Sequence, residues 1–314
     1  MDFRTIIPIS KVSTSITYHS RIVSLGSCFA VNMGEKFAYY KFPITLNPFG
    51  ILFHPLAINN IITRALQSIP YVAEDFFLHN ELWHSFDFHS DMSRISLKES
   101  ISLANRQQTL LYDTLHRANF CFLTLGTAWV YIYNSTDRIV ANCHKLPQQH
   151  FSKRLLSIEE IGESLTRIAQ LLKQINPSMQ LVITISPVRH IKDGFLENQV
   201  SKSQLFSALY PLITSGHYTY FPAYELLLDE LRDYRFYAND MVHPSEMAIN
   251  YIWERLVATY IDTATQMDMK QAESIQKALL HRPFNPDTEK HQQFLIQLQQ
   301  KMEVFTMKYP HIKF

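Results

Sequence analysis

The chain has 314 residues, of which 46% are hydrophobic and 18% charged, so it can bury the core of one large α/β domain or two smaller ones. Its 29 Lys and Arg residues and 28 Asp and Glu residues give a net charge of +1, which excludes the strong field of a nucleic-acid or anionic-membrane binder. Three cysteines do not suggest a disulfide framework, and neither a secretory signal nor a run of ~20 apolar residues is visible, so we expect a cytoplasmic protein without a membrane span.

The first half of the chain predicts three strands that each end near a glycine. These runs are RIVSLG (21–26), FPITLNPFG (42–50) and NFCFLTLG (119–126). Because the whole chain has only 7 glycines, their position after strands indicates loops at the carboxyl edge of a parallel sheet. Residues 70–110 show no clear strand and are rich in aromatic residues and histidine, and we interpret them as a lid-like insertion.

The second half predicts a helix and two further strands. SIEEIGESLTRIAQLLKQINP (157–177) begins with a capping box formed by Ser157 and Glu160, and its apolar residues recur at helical spacing. The run LVITIS (181–186) predicts a strand buried on both faces, and a short strand is expected near 217–221. This order predicts an α/β fold with a doubly wound, mostly parallel sheet of about five strands.

The end of the chain differs in pattern from the rest. After about residue 262, two amphipathic helical segments are separated by Pro283 and Pro286. We therefore expect one domain over residues 1–262 and a helical C-terminal extension over residues 263–314.

Candidate chemistry begins with the stretch SLGSCFA (24–30). Ser27 and Cys28 are both potential nucleophiles, although Ser27 could simply cap the following helix and Cys28 could be a small buried thiol. A catalytic serine needs a base, and that base needs an orienting carboxylate. Asp240 lies three residues before His243 in a predicted loop beyond the last strand, on the same sheet edge as Ser27.

Seven short segments then carry a resemblance to a known family. They occur in this order between residues 20 and 258: SLGSCFA, NPFGI, TLGTAWVY, NCHK, SPVRH, DELRDYRFY and DMVHPS. The chain in this respect resembles the GSCFA-domain family of bacterial proteins, which is itself similar to the SGNH/GDSL hydrolases. The resemblance implies a flavodoxin-like three-layer α/β/α fold and a triad of Ser27, His243 and Asp240. Gly50 corresponds to the glycine of the second block, and the backbone N–H groups of Ser27 and Gly50 are expected to bind the oxyanion.

One position departs from the SGNH pattern. The third block of those enzymes carries an asparagine whose amide donates to the oxyanion, whereas the stretch GTAW here has Ala128 at that position. The candidates for a replacement donor are Asn47, Asn142 and Trp129. We favour Asn142, because it comes after the same predicted strand and is separated from it by a short segment of chain.

Other residues with reactive side chains have more ordinary interpretations. Arg189 and His190 end a strand on the active edge, where they either hold substrate or brace the triad loop. Cys143 and His144 are adjacent in sequence and seldom face each other, so a structural role is favoured. His84, His89 and Asp91 lack a compact ligand spacing, so we expect no metal site.

The sequence as a whole favours a serine hydrolase that cleaves an acyl ester without a metal or organic cofactor. The substrate would be a small-molecule, glycan or lipid ester, and the oligomeric state is left open. Two other functions remain: acyl transfer onto a sugar or another alcohol by the same residues, and ligand binding without catalysis by a domain that keeps the fold.

Overall fold

The structure is a computed structural model that describes residues 4–314. Within this range the strands are β1 (Ile22–Gly26), β2 (Ile44–Leu46), β3 (Phe77–His79), β4 (Leu82–His84), β5 (Phe120–Leu125), β6 (Trp129–Tyr133), β7 (Arg138–Val140), β8 (Phe151–Leu155), β9 (Gln180–Ile185) and β10 (Thr219–Tyr220). The helices are α1 (Cys28–Tyr39), α2 (Pro55–Leu66), α3 (Leu97–Arg117), α4 (Ile158–Ile175), α5 (Phe195–Thr214), α6 (Ala223–Glu225), α7 (Glu246–Tyr260), α8 (Thr263–Leu279) and α9 (Glu289–Lys308).

Five parallel strands form the central sheet, in the order β10-β9-β5-β1-β2. β1 pairs with β2 on one side and with β5 on the other, so the strand order reverses direction between β1 and β5. This is the order of flavodoxin-like sheets, whose ligands bind at the carboxyl ends of the strands next to the reversal. The predicted doubly wound sheet of five parallel strands is confirmed.

Helices cover both faces of this sheet, because alternate residues of its strands point to opposite sides. Val23, Leu123 and Ile183 pack into a core with α2, α3, α4 and α5. On the other face, Ile22 and Phe122 pack with α1, α7 and the C-terminal helices. The three-layer α/β/α arrangement is confirmed. The helical layers on the two faces together bury the strands of the central sheet.

The capping box predicted at residue 157 is present at the start of α4. The Glu160 N–H donates to Ser157 Oγ at 3.2 Å, and the Ser157 N–H donates to Glu160 Oε2 at 2.9 Å. Arg154 forms an ion pair with the same carboxylate at 2.7 Å. These local bonds explain why the helix was recognisable from sequence, since they depend only on residues close together in the chain.

The segment 70–110 contains structure that the sequence analysis did not predict. β3 and β4 form an antiparallel hairpin in it, and α3 begins at Leu97. Strands of three residues are too short to show an alternating pattern, which is why they were missed. Phe88 and Met92 of this segment are buried in the main core, and its role as a lid stays a prediction.

A second unpredicted element is the antiparallel sheet β7-β6-β8, which follows β5 in the chain. The sequence signal for it was present, because β6 reads WVYIY and such aromatic and β-branched runs favour strands. The small sheet lies outside the parallel sheet and leaves its strand order unchanged.

The helices α8 and α9 correspond to the two amphipathic segments expected after residue 262. They pack on the α1 and α7 side of the sheet, where Phe305 contacts the ring of Tyr18 with centroids 5.4 Å apart. The His311 ring also donates to the Tyr18 carbonyl oxygen at 2.8 Å. Among residues 4–314, no helix is both long and apolar enough to cross a membrane. The division into two domains stays a prediction.

The tight end of β1 can be tested with two glycine substitutions. Gly26 has φ +140°, and a Cβ there would lie 2.2 Å from the Thr124 carbonyl oxygen, whereas a Cβ at Gly162 in α4 meets nothing within 4 Å. We expect Gly26→Ala to lower the free energy of unfolding by more than ~2 kcal/mol, because strain and a clash combine. Gly162→Ala should raise it by up to ~1 kcal/mol through helix propensity. Urea unfolding of both variants measures this, and equal effects would contradict it.

Candidate active site

The carboxyl ends of the parallel strands bring the candidate residues to one edge of the sheet. Ser27 directly follows β1, Gly126 directly follows β5 and Ser186 directly follows β9. These three strands are neighbours in the sheet, and the reversal of strand order lies between the first two. The edge is therefore the position at which this fold places ligand sites.

Ser27 is fully buried at the turn from β1 into α1. Its N–H donates to the Thr124 carbonyl oxygen at 3.1 Å. Its side chain makes no capping bond to α1, and Oγ has no hydrogen-bond partner among the described residues. A buried hydroxyl without a partner costs about 1–3 kcal/mol, so the helix-cap interpretation does not account for this serine.

The turn after β2 holds the end of β1 in place. Asn47 Oδ1 accepts the Gly26 N–H at 2.8 Å, and Asn47 Nδ2 donates to the Gly26 carbonyl oxygen at 3.2 Å. The Gly50 N–H donates to the Asn47 carbonyl oxygen at 2.7 Å, and both residues have positive φ. Asn47 is thus a brace for the Ser27 turn, and one of the two N–H groups of its amide is already used.

The two backbone N–H groups expected to bind the oxyanion are engaged in this conformation. The N–H groups of Ser27 and Gly50 both donate to backbone carbonyl oxygens, of Thr124 and Asn47 respectively. Neither can bind an oxyanion in this conformation, because each N–H already has an acceptor. Their role as oxyanion donors stays a prediction that requires each N–H to exchange its acceptor.

Asp240 and His243 are predicted to pair because three positions separate them in the sequence. In the structure they are hydrogen bonded to each other. His243 Nδ1 and Asp240 Oδ2 are 2.6 Å apart, and Asp240 Oδ1 accepts the N–H groups of Val242 and His243 at 3.0 Å each. These backbone bonds, together with the imidazole, lower the pKa of the Asp240 carboxyl to about 2. The carboxylate is therefore ionised at neutral pH and directs Nδ1–H towards itself, which leaves Nε2 available to take a proton.

Ser27 Oγ does not hydrogen-bond to His243 in this conformation. Gly126 lies close to both Ser27 and Phe53: a Cβ built at Gly126 would lie 3.2 Å from Ser27 Cβ and 3.1 Å from Phe53 Cδ1. The Phe53 ring in turn packs edge-on against His190, with centroids 5.5 Å apart. Ser27, Phe53 and His190 therefore lie in the same part of the sheet edge.

His190 lies near other ionisable side chains at this edge, among them Lys202 and His243. Burial lowers the pKa of its imidazole to about 4, and the charges of Lys202 and His243 act in the same direction. Its Nε2 is buried without a hydrogen-bond partner among residues 4–314. His190 is therefore neutral at pH 7, and it lies close enough to His243 for a charge on that imidazole to affect its pKa.

Lys202 is a site residue that the sequence analysis missed. Its side chain is fully buried, and Nζ donates to the Gly126 carbonyl oxygen at 2.8 Å and to the Ser186 carbonyl oxygen at 2.7 Å. It thereby ties the ends of β5 and β9 together beside Ser27. A signal was present, because Lys202 lies on the same face of α5 as the buried Leu205.

The remaining donor candidates differ in how they are engaged. Trp129 Nε1 donates to the Glu197 carbonyl oxygen at 3.1 Å, so the indole N–H is already used. Asn142 Oδ1 accepts the His144 N–H at 2.8 Å, and its amide nitrogen forms no hydrogen bond within the described part of the chain. Asn142 is therefore the candidate whose amide N–H groups are both unused within the described residues.

The cysteines and the histidine-rich segment have no features of a reactive or metal centre. Burial raises the pKa of the Cys28 thiol, and it raises that of Cys143 to about 11, so neither is a ready thiolate. His84 Nδ1 pairs with Ser93 Oγ at 2.6 Å. No group of three or more His, Cys, Asp or Glu side chains that could hold a metal ion is present in residues 4–314.

Comparison with known proteins identifies relatives of this chain. The sequence profile of the GSCFA family matches residues 21–256, and that of the GSCFA domain protein, C-terminal domain, matches residues 272–314. A solved structure described as a carbohydrate esterase family 3 from Talaromyces cellulolyticus is similar at 9% identity and a TM-score of 0.37, over 80% of this chain and 99% of that chain. None of the curated proteins matches the chain. The expected GSCFA resemblance is confirmed, and the relation to SGNH/GDSL hydrolases stays a prediction.

The buried lysine can be tested through the pH dependence of stability. Burial lowers the pKa of Lys202 in the folded chain to about 7, below the ordinary value near 10.4 of an unfolded chain. Above pH 7 the unfolded chain therefore holds a proton that the folded chain has released. The free energy of unfolding of the wild type should rise between pH 7 and 9 relative to that of Lys202→Met, by at most about 1.4 kcal/mol per pH unit.

Urea unfolding at pH 6, 7, 8 and 9 measures this difference. Lys98→Met, at an exposed lysine of α3, is the matched control and should stay parallel to the wild type. Parallel curves for Lys202→Met would show that the lysine has an ordinary pKa in the folded chain.

Proposed function

We propose that this chain, which belongs to the GSCFA family, is a serine acyl hydrolase with Ser27 as nucleophile, His243 as general base and Asp240 as its orienting carboxylate. The observation that carries the proposal is the Asp240–His243 hydrogen bond on the sheet edge where Ser27 has a buried hydroxyl without a partner. Each of these features is costly or unnecessary for folding alone, and together they suit nucleophilic catalysis.

In the proposed reaction, His243 Nε2 takes the proton of Ser27 Oγ while Oγ attacks the ester carbonyl carbon. The C–O bond to the alcohol then breaks, and His243 returns the proton to the leaving alkoxide. Water attacks the acyl-enzyme in the same way, which releases the acid and restores Ser27. Asp240 stays ionised throughout, in keeping with its pKa of about 2, and stabilises the imidazolium that forms at each step.

The proposal requires a movement before the reaction, because Ser27 is fully buried and not bonded to His243. Hydrogen bonds of catalytic groups are often long before substrate binds and shorten in the complex. Phe53 is partly exposed and packs against His190, and a change in its rotamer is the motion that we propose for this region. Substrate binding would supply the free energy for this step.

Cys28 is a weaker candidate for the nucleophile. Burial raises the pKa of its thiol, so the fraction present as thiolate at neutral pH is small. It is the first residue of α1, beside Ser27, and a comparison of the two residues is the most direct test.

The nucleophile assignment predicts a difference between two neighbouring variants. Ser27→Ala should abolish labelling by a fluorophosphonate and lower kcat for ester hydrolysis by at least about 10³-fold, because no other group can form the acyl-enzyme. Cys28→Ala should retain both. Mass-spectrometric peptide mapping of the labelled protein and initial-rate assays provide the measurements.

Loss of activity in Cys28→Ala but not in Ser27→Ala would transfer the nucleophile to the thiol. A folded wild-type protein that neither takes the label nor cleaves any ester would favour a ligand-binding domain without catalysis.

The oxyanion donor gives a second prediction. Asn142→Ala should lower kcat by about 10²–10³-fold with little change in KM, because the amide bonds the oxygen mainly once it carries negative charge. Trp129→Phe is the matched control, since the indole N–H already donates to Glu197, and it should leave kcat unchanged. The reverse result, with Trp129→Phe inactive and Asn142→Ala active, would exclude Asn142.

A further inference from the structure

A cavity of about 430 Å³ lies directly beside the Asp240–His243 pair. This volume is within the range of roughly 300–1,000 Å³ that is usual for small-molecule sites. Its wall includes Arg189, Phe195, Arg232, Asp233, Tyr234 and Asp240. Because Asp240 forms part of its wall, a molecule held there lies next to the proposed general base.

Arg189 contributes a guanidinium that the protein does not neutralise. Its N–H on the main chain donates to the Val242 carbonyl oxygen at 3.4 Å, which anchors the residue to the loop of His243. Its side-chain Nε is buried and has no hydrogen-bond partner, and the guanidinium forms no ion pair with a carboxylate in residues 4–314. An unpaired buried donor on a charged group is destabilising unless a ligand supplies the acceptor.

The carboxylates of the cavity wall are already engaged. Asp233 pairs with Arg235 at 3.1 Å, and Asp240 pairs with His243 at 2.6 Å. Arg235 itself does not line this cavity. Arg232, the second cation of the wall, lies 3.8 Å from Asp229. Arg189 is therefore the lining cation that has no carboxylate partner among the described residues.

The rest of the wall is aromatic and apolar. Phe195 and Tyr234 are 71% and 74% exposed, so their faces are open to a ligand, and Tyr237 and Met241 complete the surface. Such surfaces pack against the flat face of a ring, while a guanidinium binds a carboxylate or phosphate with two parallel hydrogen bonds. The combination matches a small ring compound with an anionic group.

We propose that this cavity is a substrate subsite in which Arg189 binds a carboxylate or phosphate group, so that the preferred substrate is an ester of an acidic sugar or a similar ring compound. The inference rests on the proposed serine hydrolase function for its link to catalysis, whereas the binding of the anion itself does not. Binding and turnover therefore test the two separately.

The binding test uses the full-length Ser27→Ala protein and three probes with the same ring: glucuronate, glucose 6-phosphate and glucose. By isothermal titration calorimetry, at least one anionic probe should bind 10-fold or more tightly than glucose. Arg189→Gln should remove this preference and Arg189→Lys should retain part of it. Arg167→Gln, at an exposed residue of α4, is the matched control and should change nothing.

Tighter binding of glucuronate assigns a carboxylate ligand, and tighter binding of glucose 6-phosphate assigns a phosphate ligand. Equal binding of all three probes, or an anion preference that survives in a folded Arg189→Gln protein, overturns the subsite.

The turnover test uses O-acetyl esters of methyl glucuronoside and methyl glucoside with the wild type and Arg189→Gln. A lower KM for the acidic ester that is lost in Arg189→Gln supports the subsite. Cleavage of both esters with equal kcat/KM in both proteins overturns the subsite and leaves the hydrolase intact. Arg189-dependent anion binding without cleavage of any ester supports the subsite and overturns the hydrolase.

Discussion

The close approach of Gly26 to β5 is the constraint on which the candidate site depends. A side chain at this position would collide with the Thr124 carbonyl oxygen, and the same oxygen accepts the N–H of Ser27. From the other side, Asn47 holds both the N–H and the carbonyl oxygen of Gly26. The backbones of three neighbouring segments thus determine where Ser27 lies, and its side chain contributes no bond of its own.

Three of the buried polar atoms without partners lie at this edge of the sheet. Ser27 Oγ, Arg189 Nε and His190 Nε2 are all buried, and each has no hydrogen-bond partner in the described chain. Lys202 places a further charge at the same edge, and burial lowers its pKa to about 7. Such groups lower stability, and they are usually retained where a ligand or a reacting atom supplies the missing partner. These three atoms lie at the position that the strand order assigns to a ligand site.

The main strands and α4 were predictable because their signals are local. Continuous apolar runs mark strands buried on both faces, and the Ser157–Glu160 capping box marks where α4 begins. The hairpin of β3 and β4 and the small antiparallel sheet were missed, the first because three residues show no period. In the site, the pairing of Asp240 with His243 followed from a spacing of three residues, which one short loop can close. The acceptors of the Ser27 and Gly50 N–H groups could not be predicted in this way, because backbone N–H groups pair with their acceptors only when separate segments of the chain come together.

The sequence by itself determined the fold class, the order of the parallel strands along the chain and the presence of Ser27 in one loop and of Asp240 and His243 in a second. Only the tertiary structure decided which of their neighbours are engaged and which are free. Asn47 and Trp129 are bound to distant backbone atoms, and Lys202 is buried although lysine is ordinarily exposed. The physical reason is that these bonds join residues separated by 16 to 76 positions in the chain, and no local pattern carries that information.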